Sequence, residues 1–258
     1  MAWRLLEPDE PPPVLEVGRD GSSAFVIAVD HASARIPRRL GRLGLPATEL
    51  ERHIAWDIGA LEIAQRVAAE LDAPLLATNY SRLVIDCNRD PRVPSSIPTI
   101  GELVEIPGNA GLSEEEVLAR RREIFEPYHA RLRELLDARE RAGRPTILIA
   151  QHTMTDVFKG VRRAMHAAVL YNRDRRLAAL VLEALRGESG LVVADNQPYF
   201  LSDETDYTIP RHAEVRGLLH VEIEVRQDLV GHAAGQAEWA ARIVGALRFA
   251  QQELTGAH

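Results

Sequence analysis

The sequence predicts a single α/β domain in which helices cover both faces of a mixed, mainly parallel β-sheet. The chain has 258 residues, of which 46% are hydrophobic and 27% are charged, as in ordinary globular proteins. Short apolar runs alternate with longer amphipathic segments, which is typical of α/β folds. Because no linker or internal repeat interrupts this alternation, one domain is expected over residues 24–258.

The strands follow from local patterns. Residues 1–23 hold four prolines and are expected to be an extended lead-in that adds no core element. Short apolar runs rich in β-forming residues, bounded by polar residues, predict the strands. They lie at 24–30, 74–79, 82–87, 146–151, 167–172, 190–195 and 220–226.

Helices are predicted where apolar residues recur at a spacing of three or four. Their ranges are 48–71, 113–142, 174–187 and 232–254. Ser113 and Glu116 have the spacing of a capping box at the start of the second helix, and Pro127 predicts a kink within it. Residues 88–112 contain four prolines and three glycines, which indicates a long surface loop.

Charge and cysteine content exclude several classes of protein. The formal net charge is −7, whereas a nucleic-acid-binding protein needs a basic surface. The single cysteine, Cys87, excludes a disulfide framework and a cysteine-based zinc finger. No apolar run is long enough to span a membrane, and the acidic, proline-rich N-terminal residues do not suit a signal peptide. The sequence therefore predicts a soluble, cytoplasmic protein.

Polar residues follow the carboxyl ends of four predicted strands, at the edge where open α/β sheets bind ligands. The last strand adds Glu222, Glu224 and Arg226, which alternation places on one face. The sequence therefore predicts a polar site at this edge. The four strand-end pairs are Asp30-His31, Asn88-Arg89, Gln151-His152 and Asp195-Asn196.

Two histidines and one carboxylate, with a water in the fourth position, would form a catalytic zinc site. His31 and His152 are the candidate histidines, and Asp57, at the start of an amphipathic segment, is the candidate carboxylate. Each histidine taken alone is more often a capping or hydrogen-bonding residue, and this alternative stays open. The remaining candidates His129, His232 and His258 are expected at the surface.

The glutamates strengthen the case for a functional site. A buried carboxylate costs several kcal/mol unless it is paired or metal-bound, and Arg226 has room to pair with only one of Glu222 and Glu224. The guanidinium of Arg89 is suited to hold a substrate carboxylate through two hydrogen bonds. Asn88-Arg89 also fits a simple brace of the loop.

Seven stretches of the chain resemble the N-formylglutamate amidohydrolase family and occur in that family's order. They are VDHASARIP (29–37), HIAWDIGALEIAQRVA (53–68), YSRLVIDCNRDP (80–91), IPGNAGLS (106–113), HTMTDVFKGVRRAMHAAVLYNRD (152–174), DNQPYF (195–200) and GLLHVEIEVRQDLV (217–230). The resemblance implies a zinc-dependent hydrolase with a zinc-carboxypeptidase-like fold and one zinc per chain. The implied reaction cleaves N-formylglutamate to formate and glutamate, a step of histidine degradation.

The resemblance also implies a set of metal ligands. Zinc would be held by His31, Asp57 and His152. Ala34 stands where the carboxypeptidase-like motif has a glutamate, so Asp57 is preferred, because cell-wall amidases take their acidic ligand from the start of the following helix. Asp30 is the fallback.

The remaining implied roles concern catalysis and substrate binding. Glu224 or Glu222 would act as the general base, and the choice between them stays open. The implied substrate-binding residues are Asn88, Arg89, Arg82, His166, Arg226 and Asn196. The expected partner is a small N-acyl amino acid, and the oligomeric state is not predicted.

Two other interpretations remain open. One is a deacylase or peptidase that acts on a different N-acyl amino acid. The other is a metal-free relative that binds an acidic metabolite. The two histidines and the pair of glutamates argue against the second, because a binding protein has no need of buried carboxylates beside an anionic ligand.

Overall fold

A seven-stranded sheet forms the centre of the computed structural model, which describes residues 3–256. Its strands are β1 (Val14–Val17), β2 (Phe25–Val29), β3 (Leu75–Thr78), β4 (Ile147–Met154), β5 (Ala167–Leu170), β6 (Val193–Asp195) and β7 (Leu219–Arg226). The order across the sheet is β1-β3-β2-β4-β7-β5-β6. The β1–β3 and β5–β7 pairs are antiparallel and the other pairs are parallel, which confirms the predicted mixed, mainly parallel sheet.

Helices cover both faces of the sheet, as predicted. They are α1 (Ala47–Leu50), α2 (Ala60–Leu71), α3 (Glu114–Arg120), α4 (Glu126–Arg141), α5 (Arg176–Arg186) and α6 (Ala233–Gly256). Helices α2, α5 and α6 pack in one apolar cluster, and α4 packs in a second cluster on the opposite face. No helix within residues 3–256 is at once long enough and apolar enough to cross a membrane.

The central strands are buried on both faces, which explains why their sequences are nearly continuous apolar runs. In β2, Phe25, Ile27 and Val29 face the layer of α2 and α6. Val26 and Ala28 point to the other side, toward α4. Strand β2 lies between β3 and β4, so its carboxyl end opens at the middle of the sheet edge.

The first segment is more than the lead-in that its prolines indicate. Strand β1 pairs with β3 as the antiparallel edge strand of the sheet. Leu5 is fully buried, and the backbone N–H groups of Leu5 and Leu6 donate to the Glu123 carboxylate. The prolines precede β1, so their missing backbone N–H groups are not needed for the hydrogen bonds of the sheet.

Residues 82–87 do not form the predicted strand. Their backbone follows turns, and its carbonyl groups bond to side chains instead of a neighbouring strand. Asn109 Nδ2 donates to the carbonyl of Leu83 at 2.8 Å, and Arg120 Nη1 donates to that of Val84 at 2.9 Å. Because the segment is buried, its side chains are as apolar as those of a strand, and pattern alone does not separate the two.

The predicted helix over 48–71 is split. Only α1 and α2 are helical, and residues 51–59 form irregular turns between them. In this stretch the N–H of Asp57 donates to the carbonyl of His31 at 2.9 Å. Gly59 adopts a left-handed φ of 82°, and a Cβ there would lie 2.6 Å from the Val230 carbonyl oxygen. Contacts with distant segments therefore outweigh local helix propensity here.

The long helix over 114–141 contains a π segment at Arg121–Phe125 that joins α3 and α4. Pro127 follows in the first turn of α4, where its missing N–H is tolerated, so the irregularity is a π turn beside Pro127 instead of a simple proline kink. The capping box is confirmed, because the Ser113 and Glu116 side chains each accept from the other's backbone N–H.

Two short hairpins stand beside the carboxyl edge of the sheet. The first, inside the predicted loop 88–112, pairs Ile100–Gly101 with Val104–Glu105, and the second pairs Val157–Phe158 with Val161–Arg162. The backbone N–H of Lys159, at the tip of the second hairpin, donates to Glu102 Oε1 in the first at 2.9 Å. This hydrogen bond joins the two hairpins.

Candidate active site

His31, Asp57 and His152 meet at the carboxyl edge of the sheet, as the sequence predicts. His31 follows β2, His152 lies in β4, and Asp57 is brought alongside by its backbone bond to His31. Asp57 Oδ2 lies 3.4 Å from Nδ1 of His31 and 2.8 Å from Nδ1 of His152. All three side chains are buried.

These three residues fit a zinc ion. Their candidate ligand atoms all lie within 4.8 Å of one another, and no other such group is found among residues 3–256. Zinc bonds of about 2.0–2.1 Å place two tetrahedral ligands about 3.3 Å apart, close to the 3.4 Å between His31 Nδ1 and Asp57 Oδ2. His152 Nδ1 and Asp57 Oδ2 lie closer, at a hydrogen-bond distance of 2.8 Å that a bound ion would widen. Two imidazoles and one carboxylate also leave one position open, as a catalytic zinc site requires.

Two further carboxylates contact the outer nitrogens of the histidines. His31 Nε2 donates to Asp86 Oδ1 at 2.7 Å. His152 Nε2 lies 3.4 Å from Asp30 Oδ2, and Asp30 Oδ1 accepts from the Thr208 hydroxyl. Metal-binding histidines are commonly oriented in this way, because a bond at the outer nitrogen directs the inner one at the metal. Asp57 Oδ2 therefore contacts the inner nitrogens, Nδ1, of both histidines, whereas Asp30 lies next to the outer nitrogen, Nε2, of His152.

The electrostatics of the group follow from this packing. Burial alone would raise the pKa of Asp57, but the neighbouring His31 and His152 hold it well below its ordinary value. Burial would lower the pKa of His152, but Glu222, Asp30 and Asp57 together raise it well above its ordinary value. The carboxylates and the two imidazoles of this group therefore stabilise each other's charged forms.

Glu222 and Glu224 point from β7 into the same cavity. Val221, Ile223 and Val225 pack in the opposite apolar cluster, so strand alternation turns the glutamates toward the site. Glu224 pairs with His152 in the β-sheet register, and Glu222 Oε2 lies 3.9 Å from His152 Nε2. One carboxylate oxygen of each glutamate has no hydrogen-bond partner. Burial raises the pKa of Glu224 to about 7 and that of Glu222 well above its ordinary value.

Asn88, Arg89 and Arg82 line this cavity, which has a volume of about 420 Å³. Asn88 Nδ2 donates to Asp206 Oδ1 at 3.0 Å, and the Asn88 side-chain oxygen accepts from two backbone N–H groups. Arg89 Nη1 donates to the Asn88 carbonyl and lies 4.0 Å from Asp206 Oδ1. Arg82 donates to Asp86 at 2.8 Å and also approaches Asp57, so its charge is already shared with two carboxylates.

Three predicted substrate-binding residues do not line the cavity. The Arg226 guanidinium donates to Asp228 and to the carbonyls of Arg163 and Met165. His166 Nδ1 accepts from the N–H of Val192. Asn196 bonds through its side chain to the backbone of Tyr171 on both sides. Each of these side chains thus braces a loop.

His129 is buried, contrary to the expectation that it lies at the surface. Its Nε2 donates to the Cys87 carbonyl at 2.8 Å, and its Nδ1 lies 2.9 Å from His212 Nε2. Burial lowers the pKa of His129 to about 4 and that of His212 to about 3, so both rings are neutral at pH 7. His232 is exposed as expected, and His258 lies outside the described residues.

Sequence reasoning missed Asp86, Tyr199 and Asp206, which also line the cavity. The sequence did offer a signal for Asp86, because it is a carboxylate inside an apolar run. A buried charge needs a partner, so such a residue is a candidate for a functional site. Tyr199 and Asp206 lie in an irregular segment after β6, where no periodicity identifies a site residue.

A mixed α/β sheet carries a buried His-Asp-His group and two buried glutamates at its carboxyl edge, an arrangement that suits a hydrolase acting on amides. The chain belongs to the N-formylglutamate amidohydrolase family, whose model matches residues 23–230. It is similar to the crystal structure of a gene product from Agrobacterium tumefaciens, with a TM-score of 0.95, 35% identity and coverage of 98% of this chain and 100% of that one.

The chain also shares its fold with the N-formylglutamate amidohydrolase from Ralstonia eutropha. The TM-score is 0.70 at 21% identity, and the match covers 96% of this chain and 100% of that one. The curated proteins contain no significant match to this sequence.

Proposed function

We propose that this protein is a zinc-dependent amidohydrolase that cleaves the N-formyl amide of N-formylglutamate to formate and glutamate. The observation that carries the proposal is the buried group of His31, Asp57 and His152 in one cavity with Glu224. The family of the chain supports the reaction class. A cytoplasmic location and a role in histidine degradation belong to the same proposal, and the single, buried, unpaired Cys87 fits a reducing compartment.

His31, Asp57 and His152 would hold the zinc ion through their inner atoms. When bound, zinc supplies Lewis-acid polarisation of the amide oxygen and of the attacking water. Asp86 and Asp30 orient the histidines from the outer side.

Glu224 acts as the general base in this proposal. It accepts a proton from the water that attacks the formyl carbon, and it returns that proton to the amine nitrogen as the C–N bond breaks. A pKa near 7 suits both transfers, because the group is then a usable base and a usable acid at neutral pH. Glu222 is the second candidate, and its position nearer to His152 Nε2 suits a carboxylate that supports the histidine.

Arg89 binds a substrate carboxylate in this proposal, and Asn88 holds the loop in place beside it. The Arg89 side chain lines the cavity. Its contacts with the Asn88 carbonyl and, at 4.0 Å, with Asp206 both use Nη1, so the other guanidinium nitrogens can donate to an anionic ligand. Arg82 contributes positive charge near the metal ligands, although Asp86 and Asp57 already share it.

Formate release tests the proposal directly. Purified protein that contains zinc is expected to release formate and glutamate from N-formyl-L-glutamate in equal amounts. A chelator should abolish this activity, and added zinc should restore it. Zinc-loaded protein that leaves N-formyl-L-glutamate intact would exclude this substrate, and activity that persists after complete metal removal would exclude the zinc mechanism.

A further inference from the structure

Three segments that contribute to the cavity lining carry several exposed apolar side chains. Six of the ten large hydrophobic side chains that are exposed within residues 3–256 lie on these segments. Two segments are the hairpins described above, and the third follows β6. We call these six side chains the apolar rim. They are Ile100, Leu103, Val157, Val161, Tyr199 and Phe200.

The apolar rim is continuous with the candidate active site. Ile100, Tyr199 and Phe200 line the same cavity as Glu224 and His152. The two hairpins are joined by the bond from the Lys159 N–H to Glu102.

A stacked arginine joins the third segment to the second hairpin. The Arg163 guanidinium lies 5.3 Å from the ring centre of Phe158 and 4.7 Å from that of Tyr199, and it donates to the Tyr199 hydroxyl at 2.6 Å. These contacts join the three segments, each of which contributes residues to the cavity lining.

Exposed apolar side chains in a cavity lining indicate an apolar ligand group there, because soluble proteins rarely expose large apolar patches without use. The formyl group has no carbon beyond its carbonyl, so N-formylglutamate would leave the apolar rim uncovered. The cavity of about 420 Å³ also lies within the range of about 300–1,000 Å³ that holds drug-sized ligands.

The charges of the cavity indicate which part of an N-acyl amino acid contacts the apolar rim. The carboxylates of an N-acyl amino acid match Arg89 in the cavity, whereas the three rim side chains that line the cavity, Ile100, Tyr199 and Phe200, are uncharged. We infer that the apolar rim binds an aliphatic acyl chain, and that the protein acts on N-acyl amino acids with acyl chains longer than formyl. This inference rests on the proposed amidohydrolase function and names a wider substrate class for the same site.

A chain-length series tests the inference. The substrates are N-acetyl-, N-butanoyl- and N-hexanoyl-L-glutamate, whose amides have similar intrinsic reactivity. Full burial of one methylene is worth about fourfold in affinity, so partial burial of the four added methylenes should raise kcat/KM at least tenfold from acetyl to hexanoyl. Equal kcat/KM values across the series would overturn the inference.

Variants tie the effect to the rim. Phe200→Ser and Ile100→Ser should each lower the hexanoyl-to-acetyl ratio of kcat/KM at least threefold. Val215→Ser is the matched control, because Val215 is 67% exposed, close to the 64% of Phe200, but lies outside the cavity. A ratio that stays at the wild-type value in both rim variants would contradict the assignment, as would an equal fall in the control.

Two further measurements separate this inference from the proposed function. Hydrolysis of N-formyl-L-glutamate tests the proposed function alone. Dissociation constants of N-acetyl- and N-hexanoyl-L-glutamate for the zinc-loaded Glu224→Gln protein give the chain-length ratio without turnover, and a ratio of at least ten is expected. N-formyl-L-leucine completes the set, since a kcat/KM above that of N-formyl-L-glutamate would assign the rim to an apolar amino-acid side chain and overturn the acyl-chain assignment.

Discussion

His31 Nε2 lies 2.7 Å from Asp86 Oδ1, and the other oxygen of the same carboxylate accepts from Arg82 at 2.8 Å. Both oxygens of Asp86 are thus engaged, and its pKa is held well below its ordinary value because His31 and Arg82 outweigh the effect of burial. An ionised Asp86 keeps the proton of His31 on Nε2. The Nδ1 lone pair is then free to face Asp57 and a metal ion.

The first prediction concerns the metal ligands. His152→Ala and Asp57→Ala should each lower bound zinc from about one per chain to near zero, because three protein ligands are the minimum for a catalytic site. Metal analysis of the purified variants checks this. Asp30→Asn serves as the comparison and should retain zinc, since Asp30 lies behind His152. Loss of zinc from Asp30→Asn but not from Asp57→Ala would show that Asp30, and not Asp57, is the carboxylate ligand of the metal.

The second prediction concerns Asp86. Asp86→Ala should weaken zinc affinity about 10- to 100-fold, because His31 would lose the partner that fixes its orientation. Competition with a chromogenic chelator measures the change. Asp90→Ala is the control, because Asp90 lies on the same loop and pairs with Arg92 and Arg211. Equal zinc affinity in wild type and Asp86→Ala would contradict the orienting role.

The third prediction concerns the general base. Glu224→Gln should keep zinc bound while kcat falls by about 10²–10⁴, because the amide side chain cannot accept the water proton. Glu222→Gln should have the smaller effect on kcat. Steady-state kinetics with zinc analysis of the same samples checks both. Near-wild-type kcat in both variants would rule out the proposed proton transfer.

The fourth prediction concerns substrate recognition. Arg89→Ala and Arg89→Lys should lower kcat/KM on N-formyl-L-glutamate about 30-fold to several-thousand-fold, since removing one partner of a buried charge pair costs about 2–5 kcal/mol. Zinc content should not change. Arg92→Ala is the control, because Arg92 is exposed, pairs with Asp90 and does not line the cavity. If the wild type hydrolyses the α-amide of the substrate as well as the acid, Arg89 is only a structural brace.

The fifth prediction concerns pH and the buried pair His129 and His212. Their pKa values of about 4 and about 3 lie below the ordinary 6.5, so the unfolded chain binds more protons than the folded one. Their contribution to the free energy of unfolding is therefore present above pH 6.5 and is lost as the pH falls toward 4.

A double variant isolates this contribution from the other histidines. His129→Gln/His212→Gln should be destabilised at pH 7.5, and the deficit relative to wild type should shrink by several kcal/mol at pH 5. Urea unfolding of metal-free protein at both pH values measures the difference. A deficit that is independent of pH would contradict the neutral buried pair.

Much of the fold could be predicted because its strands and helices have clear periodicities. The carboxyl ends of β2 and β4 gave His31 and His152, since parallel strands deliver their ends to one edge. Residues 82–87 were misjudged because a buried irregular segment is as apolar as a strand. The side chains of Asn109 and Arg120, distant in sequence, replace the neighbouring strand there.

The site was harder to predict where tertiary contacts set it. Arg226 alternates with Glu222 and Glu224, yet its side chain is long enough to reach the carbonyls of Arg163 and Met165 instead of the cavity. Asp86 was missed because its partner His31 is distant in the chain. The spacing of residues along one strand does not predict contacts with residues that are distant in the sequence.

The position of Lys159 has a practical consequence for labelling. It is the single lysine in the sequence, and it is exposed at the hairpin tip whose backbone is held by Glu102. Apart from the N-terminal amine, an amine-reactive fluorophore therefore has one attachment point, beside the opening of the cavity. The emission of that dye would report, in real time and without any mutation, whether the two hairpins separate when a ligand enters.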